Sequence, residues 1–101
     1  MSLTKIQLSE LLSAYGSLLT KKQRDVVAMY CDCDCSLAEI ASEHGISRQG
    51  VRDAIVKSEN TLEKFEQSLH LASFLHDVNA ALQQNDTRLV VQLTQKFVEK
   101  E

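Results

Sequence analysis

The stretch SLAEIASEHGISRQGVRDAI, residues 36–55, decides the predicted fold. Ser36 opens a capping-box pattern that starts one short helix, and Gly45 supplies the positive φ needed by a tight turn after it. Ser47 then begins a second helix. Because Ala41 is small enough for two steeply crossing helices to approach each other, the stretch predicts a helix-turn-helix unit.

Helices are also predicted before this unit. Two further capping boxes, Thr4–Gln7 and Thr20–Gln23, each precede apolar residues at helical spacing. The residues predicted to face the core are Ile6, Leu8, Leu11, Leu12 and Tyr15 in the first helix and Val26, Val27, Met29 and Tyr30 in the second. No segment alternates apolar and polar residues cleanly enough for a strand, so the predicted fold class is all-α.

The fourth helix, which starts after Ser47, is predicted to be long. Its apolar seam is Val51, Ile55, Ser58, Leu62, Phe65, Leu69 and Ala72, and near residue 70 the apolar residues change face. One straight helix over residues 48–84 would extend about 55 Å, too long for one small domain, so a break or a dimer is required. We predict a helix-turn-helix domain over residues 1–70 and a C-terminal helical extension over residues 71–101.

The start of the fourth helix is the predicted nucleic-acid-binding site. Arg48, Gln49 and Arg52 lie on its outer face, and Arg and Gln pair bidentately with guanine and adenine edges. Ser47 and the free N–H groups of the first turn suit a phosphate. The further cationic residues of this patch are Lys21, Lys22 and Lys57, together with Arg24.

Two family resemblances arise from these segments. LTKKQRDVV, SLAEIA and SRQGVRDAI resemble region 4 of bacterial sigma factors, a helix-turn-helix domain that contacts promoter DNA. With the trailing LEKFEQSLHL, they resemble more closely the YlxM family of small bacterial helix-turn-helix proteins, over most of residues 6–75. Genes of that family commonly neighbour those of the signal recognition particle. The resemblance therefore implies a regulatory role in co-translational targeting, with DNA, the particle's RNA or its protein component as partner.

The charge balance keeps a second hypothesis open. The formal net charge is −3, whereas nucleic-acid-binding domains are usually basic. Glu59, Glu63 and Glu66 extend the fourth helix away from the cationic patch. The alternative is an interaction module in which the helix start and the Leu62–Leu69 seam dock a protein, without direct DNA binding. The long seam also favours a homodimer.

Other chemistry finds little support in the sequence. Cys31, Cys33 and Cys35 alternate within one acidic turn, a poor arrangement for zinc, which favours C-x₂₋₄-C pairs and four converging ligands. We expect instead that these cysteines are small apolar side chains buried in the core, together with a thiol that faces solvent. No catalytic triad, phosphate-cradling glycine loop or paired-carboxylate cleft is visible. We expect a cytoplasmic protein that is not an enzyme, binds no metal or cofactor, and does not insert into a membrane.

Overall fold

The computed structural model describes residues 1–99, and in this range it contains six α-helices, one 3-10 turn and no strand. The helices are α1 (Lys5–Tyr15), α2 (Lys21–Cys31), α3 (Leu37–His44), α4 (Arg48–Leu69), α5 (Leu71–Gln83) and α6 (Thr87–Glu99). The 3-10 turn, Gly16–Leu18, follows α1. The all-α prediction is confirmed. None of the described helices has the length and apolar character needed to cross a membrane.

Local capping sets where the first three helices begin. The side chains of Thr4, Thr20 and Ser36 each accept a hydrogen bond from the backbone N–H three residues later, at 3.1 Å. The Gln or Glu at that later position accepts from the cap residue's own N–H. All three predicted capping boxes are therefore present, and they satisfy backbone donors that the helix itself cannot.

The core lies where α1, α2, α3 and α4 meet. Its side chains with no more than 1% exposure include Leu8, Tyr15, Val26, Val27, Ile40, Val51, Ile55 and Leu62. The prediction that Ile6 faces inward is wrong, because its side chain is 75% exposed. Leu8, Leu11 and Tyr15 share one face of α1, and Ile6, two residues before Leu8, lies about 200° round the helix axis.

A buried carboxylate ties the chain before α1 to α4. Glu59 is 2% exposed and accepts hydrogen bonds from the backbone N–H and hydroxyl of Ser2, at 2.9 and 2.8 Å, and from the Leu3 N–H at 3.3 Å. Burial opposes ionisation of Glu59, but these hydrogen bonds outweigh it and lower its pKa. The sequence predicts that Glu59 lies on α4. Its burial depends on the tertiary structure, because the N-terminal residues Ser2 and Leu3 pack against this helix.

The predicted long helix breaks at His70. This residue adopts the left-handed conformation (φ 53°, ψ 26°), and the chain restarts as α5 at Leu71. The change of apolar face near residue 70 therefore marks a break between two helices. Leu69, expected on the buried seam, is 47% exposed at the end of α4.

A hydrogen-bond network holds the start of α5 against α1 and α4. The Tyr15 hydroxyl donates to Glu66 Oε1 at 2.5 Å and accepts from the Leu71 N–H at 2.9 Å. The Glu66 carboxylate also accepts from the N–H groups of Ala72 and Ser73, at 2.9 and 3.0 Å. Together Tyr15 and Glu66 replace the N-terminal cap that His70 does not supply.

The two last described helices form a hairpin, in which α6 packs chiefly against α5. The rings of Phe74 and Phe97 stack with centroids 4.3 Å apart, and no described residue of α6 is fully buried. The division into a domain over residues 1–70 and an extension over residues 71–101 stays a prediction. Residues 100 and 101 of that extension lie outside the described range.

The buried Ser58 hydroxyl yields a stability prediction. Its oxygen is fully buried and has no hydrogen-bond partner within the described residues. Because an unsatisfied buried hydroxyl costs about 1 kcal/mol or more, Ser58→Ala should raise the free energy of unfolding by about 1 kcal/mol, beyond the gain in helix propensity. Urea denaturation measures this. Ser68→Ala, at an exposed position of α4, controls for propensity, and an equal gain from both variants would contradict the prediction.

Candidate nucleic-acid interface

Helices α3 and α4 form the predicted helix-turn-helix corner. Gly45 ends α3 in the left-handed conformation (φ 64°, ψ 35°), and the Ile46 N–H donates to the Ala41 carbonyl at 3.1 Å. Ile40 and Val51 are fully buried, and Ala41 is 7% exposed. A three-residue turn, residues 45–47, therefore joins two helices whose apolar faces meet in the core.

Ser47 caps the open end of α4. Its hydroxyl oxygen accepts from the Gly50 N–H at 2.9 Å, and no capping box forms because glycine occupies the position of the reciprocal side chain. A Cβ at Gly50 would lie 3.2 Å from Ser47 Oγ and 3.6 Å from Ile46 Cβ. The nearest neighbours of Gly50 thus belong to the turn, and its small size makes room for the cap. The N–H groups of Arg48 and Gln49 stay at the open helix end.

Arg48 and Arg52 form the cationic part of the candidate interface. They are four residues apart, so they occupy neighbouring positions on one side of α4, and both are exposed. Neither guanidinium has an ion pair or hydrogen bond within residues 1–99. Their fixed charges and donors are therefore available to an external anion.

The structure couples Gln49 to an acidic neighbour. The Gln49 amide donates from Nε2 to Asp53 Oδ1 at 2.9 Å across one helical turn. This bond occupies a donor that adenine recognition would use, and Asp53 lowers the local positive potential. This pairing was not among the sequence predictions, although the spacing of four residues is the signal that identifies it.

The remaining predicted residues lie on another side of α4 or on another helix. Lys57 is nine residues after Arg48, about half a turn round the axis of α4, so it does not share the Arg48 face. Lys21 and Lys22 are exposed on the first turn of another helix, α2. Lys21 is also within 3.5 Å of the Asp25 carboxylate, an exposed ion pair. The structure therefore brings Ser47, Arg48, Gln49 and Arg52 together at the start of α4, with Lys57 on another side of that helix and Lys21 and Lys22 on α2.

Comparison with known proteins decides the family. A family model described as "Putative helix-turn-helix protein, YlxM / p13 like" matches residues 3–100. The chain belongs to this family, UPF0122. The match covers the helix-turn-helix unit and both helices of the α5–α6 hairpin, so it extends beyond the residues 6–75 that carry the resemblance in the sequence.

Relatives in several bacteria are also called UPF0122 proteins. The one from Pediococcus pentosaceus is 44% identical over 78 residues, which is 77% of this chain and 69% of the relative. The one from Clostridium botulinum is 45% identical over 67 residues, 66% of this chain and 62% of the relative. YofM from Lactococcus lactis is 46% identical over 67 residues, 66% of this chain and 60% of YofM. In the last two, the match spans less than two thirds of the relative's length.

The cysteine-bearing turn of this UPF0122 protein joins α2 to α3. Cys33 is exposed, whereas Cys31 and Cys35 are half-buried. Desolvation, together with the Asp32 carboxylate, raises the pKa of the Cys31 thiol to about 12. Since metals bind the thiolate, the protonated Cys31 is a poor ligand at neutral pH. Within residues 1–99, no three His, Cys, Asp or Glu side chains are grouped to hold a metal ion.

Proposed function

We propose that this UPF0122 protein is a cytoplasmic nucleic-acid-binding regulator that uses α3 and α4 as its reading unit. The observation that supports this proposal most is that Arg48 and Arg52 are exposed on the first turns of the second helix of a helix-turn-helix, and that neither makes an ion pair within residues 1–99. In this binding mode the start of α4 enters the major groove of the nucleic acid, and the two arginines contact base edges or phosphates. The N-terminal end of α4, at Ser47, faces the sugar-phosphate backbone.

We further propose that this activity belongs to the signal recognition particle pathway, because genes of the YlxM family that the chain resembles commonly neighbour those of the particle. The nucleic acid is then either promoter DNA or the RNA of the particle. B-form DNA admits a helix into its major groove, whereas the major groove of an RNA helix is too narrow for one. The geometry of α4 therefore favours duplex DNA, and an RNA partner would be contacted through its phosphates or an unpaired loop.

Weak binding by one copy is expected from the charge balance. If about three phosphates are neutralised, the logarithm of the binding constant falls with the logarithm of salt concentration with a slope of about −3. We propose that a homodimer compensates by presenting two reading units. The α5–α6 hairpin supports this proposal, because it exposes Leu75, Leu82, Val91 and Val98 to 47–74%.

A direct test combines affinity capture with titration. Immobilised protein is incubated with bacterial lysate, with and without nuclease, and labelled duplex DNA and signal recognition particle RNA are titrated by fluorescence anisotropy at several salt concentrations. We expect a captured nucleic acid and a salt slope of about −3 per reading unit. Absence of binding to both probes, with a nuclease-resistant protein partner such as the particle's protein component, would overturn the proposal in favour of an interaction module.

Asp53 provides a gain-of-affinity prediction. Asp53→Asn removes a negative charge one turn from Gln49 and beside Arg52, so nucleic-acid affinity should rise about threefold to tenfold at moderate salt. Anisotropy titration measures the change. Glu99→Gln changes the net charge equally at the far end of the chain, and the proposal requires it to leave the affinity nearly unchanged.

A further inference from the structure

A groove runs between α1, α4 and α5, away from the helix-turn-helix turn. Its volume is about 500 Å³. The apolar part of its lining comes from Leu3, Leu11 and Ala72, of which Leu11 and Ala72 are only 8% and 7% exposed. These side chains belong to the core that the four N-terminal helices and α5 share, so the floor of the groove is built on packed structure.

The rim of the groove is acidic. Glu10, Glu63 and Asp77 line it, and no Lys or Arg of the described residues does. The side chains of Glu63 and Asp77 have no hydrogen bond or ion pair within residues 1–99, and Glu10 has only the His76 ring, at 3.2 Å. An apolar floor is therefore bordered by carboxylates whose charge the rest of the described chain leaves uncompensated.

The two halves of α4 differ in net charge: residues 48–58 carry three cationic side chains and one carboxylate, whereas residues 59–69 carry three carboxylates and one lysine, Lys64. Arg48 and Arg52 occupy its beginning, and Glu63 lies fifteen residues after Arg48, about 22 Å along the axis. This distance exceeds two Debye lengths at physiological salt, so the two ends act as separate electrostatic surfaces. The acidic end repels a polyanion and attracts a cation.

We propose that this groove binds a cationic amphipathic helical segment of a partner protein. Apolar side chains of such a segment cover Leu11 and Ala72, while Lys or Arg side chains on its flanks pair with Glu63 and Asp77. The proposal does not depend on nucleic-acid binding at Arg48 and Arg52. If both hold, the chain connects a nucleic acid at one end of α4 to a basic protein at the other.

A model peptide tests the proposal. The probe is a labelled helical peptide of about 14 residues with leucines on one face and lysines on the other, titrated into the full chain by anisotropy and by amide NMR shifts. We expect the shifts to concentrate at Leu11, Glu63 and Ala72. Glu63→Gln with Asp77→Asn should weaken binding about tenfold, as should a peptide with serines in place of the leucines.

The controls separate this site from general electrostatics. Glu43→Gln with Glu99→Gln removes the same total charge at exposed positions outside the groove and should leave peptide affinity unchanged, as should Arg48→Ala with Arg52→Ala. Three results would each overturn the proposal. The two double variants that remove carboxylates could weaken peptide binding equally, the serine peptide could bind as tightly as the leucine peptide, or the NMR shifts could be confined to surfaces outside the groove. The proposal would also be overturned if adding duplex DNA shifted the amide NMR signals of the groove residues.

Discussion

Replacing both Arg48 and Arg52 with alanine should reduce nucleic-acid affinity at least about a hundredfold at physiological salt. Two guanidinium groups that contact phosphates or base edges supply charge-assisted hydrogen bonds that alanine cannot replace. Their loss should also make the salt slope shallower by about two. Because both side chains are exposed and make no ion pair within residues 1–99, the melting temperature should change by less than about 2 °C.

The matched control is Lys64→Ala with Arg88→Ala. These two residues are also exposed, on α4 beyond the reading unit and on α6, so the control removes the same net charge. It should weaken binding only about twofold, through long-range electrostatics. If the control reduced affinity as much as the Arg48 and Arg52 pair does, binding would depend on net charge alone. Unfolding of the Arg48 and Arg52 variant would show that the pair is structural.

Glu66→Gln should destabilise the protein by about 2–3 kcal/mol. The Glu66 carboxylate accepts hydrogen bonds from Tyr15, Ala72 and Ser73, and both its oxygens are used. An amide keeps the shape but turns one acceptor into a donor that faces a backbone N–H, and it removes the charge that strengthens the other bonds. Urea denaturation should show the loss, and the amides at the start of α5 should exchange with solvent faster.

The pH dependence of this variant gives a second readout. Desolvation opposes ionisation of Glu66, but its hydrogen bonds outweigh this and hold its pKa below the ordinary value of 4.5. Its stabilising contribution is therefore present above pH 4.5 and is lost as the pH falls through the lower folded-state pKa. The stability gap between the wild type and Glu66→Gln should narrow on acidification. Glu63→Gln, which lacks such bonds, should show neither effect, and a pH-independent gap would contradict the assigned role.

Local sequence determined the starts of the first four helices and the sharp turn between α3 and α4. Thr4, Thr20, Ser36 and Ser47 each satisfy a backbone donor only three residues away, so their effect does not depend on the rest of the fold. Gly45 is equally local, since its left-handed conformation excludes most other residues. The helix-turn-helix was predictable from residues 36–55 for this reason.

Only the tertiary structure decided which helix faces pack together and which residues make contacts between helices. Ile6 is as apolar as its neighbours, and its exposure depends on which face of α1 meets α4. Glutamate is usually a surface residue, yet Glu59 is buried against Ser2. Glu66, together with Tyr15, which is 51 residues away in the chain, holds the start of α5. The residues in such contacts are more than 50 positions apart in the chain, so no local sequence pattern predicts that they meet. The cationic start of α4 was therefore visible in the sequence, whereas the acidic groove between α1, α4 and α5 exists only after the helices pack.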